Sequence, residues 1–270
     1  MYKYLLSGIS GLAISPALAQ DLEPDFDRVV IADLRIPETS ITVTATGTRT
    51  EIEDTGQAVT VIGQAEIESV QGHDVTRVLE RVPGVTFARN GPPGAFTGVR
   101  VRGAEAEQLL VVLDGVRVAD PAAPGGGFDF ANLGAGNLAK IDLLRGSNST
   151  IWGSDAIGGV LVAGTRAESG IRGSAEYGAR DTVHLTASGG VAGERGFLGG
   201  AASWYRTDGF SAAAAGTEPD GFEQFAADGQ GRIYFSDSFE VFVRGRYARG
   251  KVELDGFPAP AFALADTDEY

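Results

Sequence analysis

The sequence predicts a mainly β chain, with an α+β region up to about residue 166 followed by about five antiparallel strands. Glycine supplies 39 of the 270 residues, about twice its usual share, beside 43% hydrophobic residues, a balance that favours strands and tight turns. Residues 74–82 carry a helical period, with Val75, Val78, Leu79 and Val82 at i, i+3, i+4 and i+7. After residue 166 the chain falls into segments of about 10 residues with alternating apolar and polar side chains.

The same composition excludes several functions. With no cysteine there is no disulfide and no thiolate metal site. A net charge of −14 without a dense Lys/Arg run offers no grip on phosphate backbones, so nucleic acid is not expected as a partner. The histidines, His73 and His184, are far apart in sequence, so no histidine metal centre is expected, and His73 reads as a surface or capping residue.

The elements follow in order. Lys3, the uncharged stretch 4–18 and the small residues Ala17-Leu18-Ala19 read as a signal peptide over 1–19, cleaved after Ala19. The stretch is too short, and too diluted by Ser7, Gly8, Ser10, Gly11, Ser15 and Pro16, for a membrane anchor. Residues 20–40 hold six acidic and two basic residues with two prolines and no period, a flexible acidic leader. Ile41-Thr42-Val43-Thr44-Ala45-Thr46 alternates as a strand, read equally as one awaiting an edge or as the first strand of the next domain.

Short strands are expected at 59–62 and 85–88, with the helix between them opened by Asp74 and ended by Pro83-Gly84. Residues 99–103 alternate, and Asp114-Gly115 joins 109–113 to 116–118 as a hairpin whose turn needs positive φ angles. Two loops are rich in structure breakers. One is Asn90-Gly91-Pro92-Pro93-Gly94-Ala95-Phe96, and the other runs from Asp120 to Phe128 with Pro121, Pro124 and the consecutive Gly125, Gly126 and Gly127. Neither is followed by a phosphate-binding pattern, no serine sits in a G-x-S-x-G elbow, and the pairs Glu105/Glu107 and Asp266/Asp268 read as solvated faces. No catalytic constellation is present, and the chain is not expected to be an enzyme.

The order of segments carries more than any one of them. LERVPGV at 79–85, VRVRG at 99–103, VVLDGVRV at 111–118 and IDLLRGSNSTIWGSDAIGGVLVAGTR at 141–166 follow one another. Over about 41–166 this resembles the plug domain of TonB-dependent outer-membrane transporters. The resemblance implies a plug over 47–166, a TonB box at Ile41, Thr42, Val43, Thr44, Ala45 and Thr46 for capture by a periplasmic TonB protein, and plug–barrel contacts through Arg100, Arg102, Arg117, Arg145 and the anchor Trp152. The leader is too short for the extra signalling domain of some relatives.

For residues 167–270, strands are expected at about 171–179, 182–191, 196–206, 227–236 and 239–249. Alternation alone suits a soluble sandwich as well as a barrel. Behind a plug, the resemblance implies the beginning of an antiparallel transmembrane β-barrel in outer-membrane lipid, with Tyr177, Trp204, Tyr205, Tyr234 and Tyr247 available for interfacial girdles. Because about five strands cannot enclose a globular plug, and residues 266–270 lack apolar alternation, the barrel is expected to be incomplete.

Within the family, ARNGPPGAFTGVRVRG, LDGVRVADPAAPGGG and SWYRTDGFSAAAAGTEPDGF resemble segments of the vitamin B12 (cobalamin) transporters. That implies cobalamin as ligand, both breaker-rich loops (90–96 and 120–128) against it, and calcium held by Glu218, Asp220, Asp255 and Asp266, with Ser211 standing where an acid is expected. A haem or ferric-siderophore importer shares the plug motifs, while a passive porin or a β-rich periplasmic enzyme is the alternative from another class.

Overall fold

The computed structural model describes residues 40–41, 50–51, 58–120, 124–166, 169–211, 218–236, 239–255 and 262–269. The expected signal peptide and nearly all of the acidic leader lie outside these residues. Strand β1 (Ser40–Ile41) pairs antiparallel with β2 (Thr50–Glu51), placing Ile41 opposite Thr50.

The plug region is built on β3 (Ala58–Ile62), α1 (Gln64–Ser69), α2 (Thr76–Leu79), β4 (Val85–Arg89), β5 (Thr97–Val101), β6 (Leu109–Leu113), β7 (Val116–Val118), β8 (Leu138–Arg145), α3 (Ser149–Trp152) and β9 (Gly159–Thr165). Its main sheet has the order β3-β8-β9-β6-β7, while β4 and β5 form a separate hairpin. Strands β6 and β9 run parallel, Leu109 opposite Gly159, and the other neighbours are antiparallel. The five apolar residues of β6 are all buried because the strand lies between β9 and β7 with both faces covered. One face packs with α1, α2 and the β4–β5 hairpin in a core that includes Ile67, Val78, Leu79, Val99, Leu133, Ile141 and Leu143. The other face carries a small cluster of Leu110, Val112, Leu144, Ala156 and Val160, with Trp152 packed against it.

The helix expected over 74–82 is shorter than its period. Only Thr76–Leu79 is α-helical, and Arg81 and Val82 continue as i to i−3 turns toward Pro83. Asp74 still opens it, accepting from Thr76 N at 3.0 Å and Thr76 Oγ1 at 2.6 Å, and all four periodic apolar residues are buried. The Asp-Gly hairpin turn forms as expected, with φ of 48° at Asp114 and 87° at Gly115.

The second part is one antiparallel sheet in sequence order: β10 (Gly170–Gly178), β11 (Thr182–Gly193), β12 (Gly196–Thr207), β13 (Phe222–Ser236), β14 (Phe239–Asp255) and β15 (Phe262–Glu269). The described strands thus number six rather than about five. β13 starts at Phe222 because the register, continuous from Tyr234, carries Phe222 opposite Val252, and β14 runs on to Asp255 because it pairs there with Phe262 of β15. β15 forms where apolar alternation is lacking, since backbone pairing from Phe262 opposite Asp255 to Glu269 opposite Ala248 needs no side-chain pattern. Among the described residues a short turn at 194–195 joins β11 to β12, and β12 and β13 meet at the opposite end of the sheet, where Thr207 pairs with Phe222.

The two faces of this sheet differ. Toward the plug region point buried His184, Ser203, Thr207, Gln224 and Asp228; away from it point exposed Ile171, Leu185, Leu198, Phe225, Ile233, Val241 and Val243. Polar-in, apolar-out alternation on strands of this length is the pattern of a lipid-facing barrel wall. Among the described residues no helix is long and apolar enough to cross a membrane. Of the expected girdle aromatics, Tyr177 is 75% exposed, whereas Tyr205 turns inward and stacks on His73.

Candidate functional site

The first breaker-rich loop connects β4 to β5. Asn90 N donates to Phe96 O and Ala95 N to Pro92 O, both at 3.1 Å, which closes the loop on itself. Asn90 is exposed, Gly91, Pro93, Gly94 and Phe96 are half-buried, and Pro92 and Ala95 are buried. Gly94 has φ of +90°, and a Cβ there would drive into the ring of Phe222, the first residue of β13. The loop is therefore fitted against the wall sheet at the end where Thr207 pairs with Phe222.

In the second loop Pro121 lies outside the described residues, Asp120 is half-buried, and Gly125 and Gly126 are exposed. Gly127 is buried against the Glu107 backbone. Phe128 corrects the expectation of a ligand-facing residue: it is buried in the plug core, edge to face with Phe130 at 5.1 Å, because its ring completes the apolar packing there. Asp129 ties the two loops together. Its Oδ1 accepts from Thr97 N at 2.8 Å and Ala131 N at 3.0 Å. Burial pushes its carboxyl up from the ordinary range, and the two N–H donors pull it down by less.

Among the described residues Arg100, Arg117 and Arg145 bond within the plug and not to the wall. Arg100 pairs with Glu105 at 2.7 Å, Arg117 donates to Trp152 O at 2.7 Å and lies over the Trp152 ring at 5.4 Å, and Arg145 donates to Pro83 O at 3.0 Å. Arg102 contributes its backbone N–H to Gly84 O. The side-chain acceptors of Arg100, Arg117 and Arg145 belong to the plug itself, and the contacts from plug to wall among the described residues involve other side chains.

Those residues cluster on the segment 131–137, which sequence reasoning left unassigned. Asn137 Nδ2 donates to Asp228 Oδ2 at 2.6 Å, Gln224 Nε2 to Ala131 O at 3.4 Å, and Arg246 to both Asn132 O at 3.3 Å and Asp228 Oδ1 at 3.1 Å. Arg244 reaches Asp114 O. Nearer α1, Glu68 meets Arg166 at 3.0 Å and Arg172 at 3.5 Å, and Gly72 N donates to Glu176 at 2.9 Å. Burial raises the Glu68 carboxyl, but Gln64 and the two guanidinium groups outweigh it and leave it lowered. No signal of period or spacing marks these residues; they are polar positions on alternating strands that become partners only when two sheets meet.

Two cavities lie along this seam. One of about 270 Å³ is polar, bounded by Glu68, Arg166, Glu176 and His184; the other, of about 230 Å³, is bounded by His73, Arg89, Phe130, Tyr205 and Phe222 beside the first loop. His73 is thus buried, not the surface or capping residue expected, because the turn at 134–136 and the wall aromatics close over it. Burial, then repulsion from His184, pushes its pKa down to about 3. Beside it, burial raises the Asp74 carboxyl, yet bonds from Thr76 and Arg89 and the Arg89 charge leave it lowered.

Of the TonB-box residues, Ile41 is in β1, and Thr42, Val43, Thr44, Ala45 and Thr46 lie outside the described residues. Among the calcium candidates Asp220 is buried and Glu218 half-buried, while the side chains of Asp255 and Asp266 lie outside the described residues. Among the described residues no three His, Asp or Glu side chains come together in a group able to hold a metal ion.

Comparison with known proteins supplies the rest. Residues 51–160 match the family model of the TonB-dependent receptor plug domain. The fold is similar to that of the ferripyoverdine receptor of the outer membrane of Pseudomonas aeruginosa, with a TM-score of 0.61 at 16% identity, covering 79% of this chain and 28% of the receptor. It is similar to the siderophore receptor PiuA from Acinetobacter baumannii, with a TM-score of 0.61 at 17% identity, covering 76% and 28%. For the copper transporter OprC the TM-score is 0.59 at 17% identity, covering 73% and 31%. The chain spans about a third of the length of the solved structures it matches. Residues 51–160 match the plug-domain model of TonB-dependent receptors, and together with the antiparallel strands behind them they have part of the fold of those receptors.

Proposed function

We propose that the protein takes part in TonB-coupled import across the bacterial outer membrane, with a chelated metal of the ferric-siderophore class as ligand. The observation that carries this reading is the plug domain docked through 131–137 against a wall that is polar inside and apolar outside, an arrangement suited to a plugged transmembrane barrel and not to a soluble enzyme. Solved structures of similar fold include siderophore receptors and a copper transporter, which favours a metal chelate over cobalamin. Cobalamin, toward which the strings 88–103 and 113–127 point, is the second ligand. The exposed Asn90, Gly125 and Gly126 stand on the two loops joined by Asp129 and form the face that meets it.

Residues 41–46 are the segment offered to TonB, and the strand backbone of Ile41, paired opposite Thr50, supports that reading. In the test, the full-length protein is assayed for binding of ferric siderophores, haem and cobalamin, and cells carrying it for uptake. Siderophore binding, with uptake lost but binding kept when 41–46 are deleted, is the expected result. Uptake indifferent to the deletion identifies a passive pore, and binding of cobalamin alone replaces the siderophore.

A further inference from the structure

His73 stands on the plug directly before α2, and His184 on β11 of the wall; their rings meet edge-on at 5.6 Å and 84°. His73 also stacks on Tyr205 of β12, 4.6 Å between ring centres and 22° from parallel. The imidazoles are 7% and 3% exposed, and no ring nitrogen of either reaches a hydrogen-bond partner among the described residues. A Cβ at Gly134 would strike the His73 ring, and one at Gly136 would come within 3.0 Å of His184 Nε2, so the plug turn fits closely around both rings. A buried seam without a hydrogen-bond partner for either ring favours uncharged imidazoles over charged ones.

We propose that this histidine pair makes the seating of the plug against the wall acid-sensitive: the segment 70–74 is held while both rings are neutral and leaves β10–β12 when they take up protons. The proposal is independent of which ligand is imported.

Around His73 the surrounding charges leave little to compensate a proton. Asp74, next to His73, is already engaged by Thr76 and Arg89. Arg77 and Arg89 border the same cavity, Arg246 of β14 adds positive charge, and Asp228 is taken by Arg246 and Asn137. On the other side Arg166 pairs with Glu68. Glu176 of β10 is shared: its Oε2 accepts from Gly72 N at 2.9 Å and lies 3.8 Å from His184 Nδ1. A proton on His184 draws Glu176 away from Gly72, so the event that charges the stack also removes a tether of the plug segment.

The sign follows from linkage. The seated His73 titrates at about 3 and the released ring near its ordinary 6.5, so between those limits the released state binds more protons. Seating is complete at neutral pH and weakens as the pH falls below about 6.5, by up to about tenfold per pH unit from His73 alone.

The test is amide hydrogen exchange of the full-length protein in detergent from about pH 7.5 to about 4.5, corrected for intrinsic rates. Protection of Gly72 N–H, bonded to Glu176, and of Ala135 N–H, bonded to His73 O, should fall up to about tenfold per pH unit below about 6.5 and stay nearly level in H73F. Protection that does not change with pH, or an equal fall in H73F, overturns the proposal. Should H73F not fold, ring-carbon NMR of the unsubstituted protein decides: His73 charging only as exchange protection is lost supports the latch, and His73 charging while protection persists overturns it.

Discussion

Asp114 holds Thr165 at two points, its Oδ1 accepting from Thr165 N at 2.8 Å and its Oδ2 from Thr165 Oγ1 at 2.7 Å. The residue that makes the β6–β7 turn thereby also fastens the end of β9, and its carbonyl receives Arg244 from the wall. Turn, plug sheet and docking contact share one residue. Asparagine tolerates the same left-handed backbone but can supply only one of the two acceptors. D114N should therefore keep the hairpin and lower plug stability by about 1–2 kcal/mol, read as earlier thermal or denaturant unfolding of the plug in the full-length protein. Unchanged stability would show that the grip on Thr165 contributes nothing.

Gly94 is required by shape as well as by φ. In G94A the new methyl meets the Phe222 ring, and the backbone sits at +90°, so a loss of about 1–3 kcal/mol is expected together with a shift of loop 90–96. Adding F222L should recover the steric part only. Measuring protease access to the loop in the single and double variants separates the two contributions.

Asp129 separates hydrogen bonding from charge. D129N keeps an oxygen for Thr97 N and Ala131 N and removes a buried charge, so it should be neutral or stabilising at pH 7, while D129A should cost about 1–3 kcal/mol. Because the folded-state carboxyl lies above its ordinary value, its ionisation opposes folding at neutral pH and this opposition fades as the pH falls through the carboxylate range. The advantage of D129N should shrink in the same direction, as denaturant titrations at a series of pH values would read.

Asn137 and Asp228 join plug to wall. N137D places a second buried carboxylate 2.6 Å from the first and should loosen the plug by about 3 kcal/mol or more, seen as raised protease access. The reversed pair N137D/D228N restores a donor opposite an acceptor and should recover part of the loss. Recovery in the pair distinguishes this contact from general damage to the fold.

Local chemistry was legible without coordinates. The Asp-Gly turn, the runs of β6 and β7, the capping by Asp74 and the alternation of β10–β14 depend on neighbours a few residues apart, and each is found. The plug motifs were equally readable, and residues 51–160 match that family model. Element bounds were less so: the period over 74–82 records burial of Val82, which a tight turn achieves as well as a helix.

What sequence alone determined is therefore the inventory of elements and their order, because turn angles and side-chain period are short-range properties. Tertiary structure decided who meets whom. The parallel pairing of β6 with β9, the retreat of Phe128 into the core, the arginines that turn back to Glu105, Pro83 and Trp152, and the burial of His73 against Tyr205 all join residues separated by tens of positions. Such contacts are chosen by the packing of two preformed sheets, whose facing side chains have no periodic signature of their own.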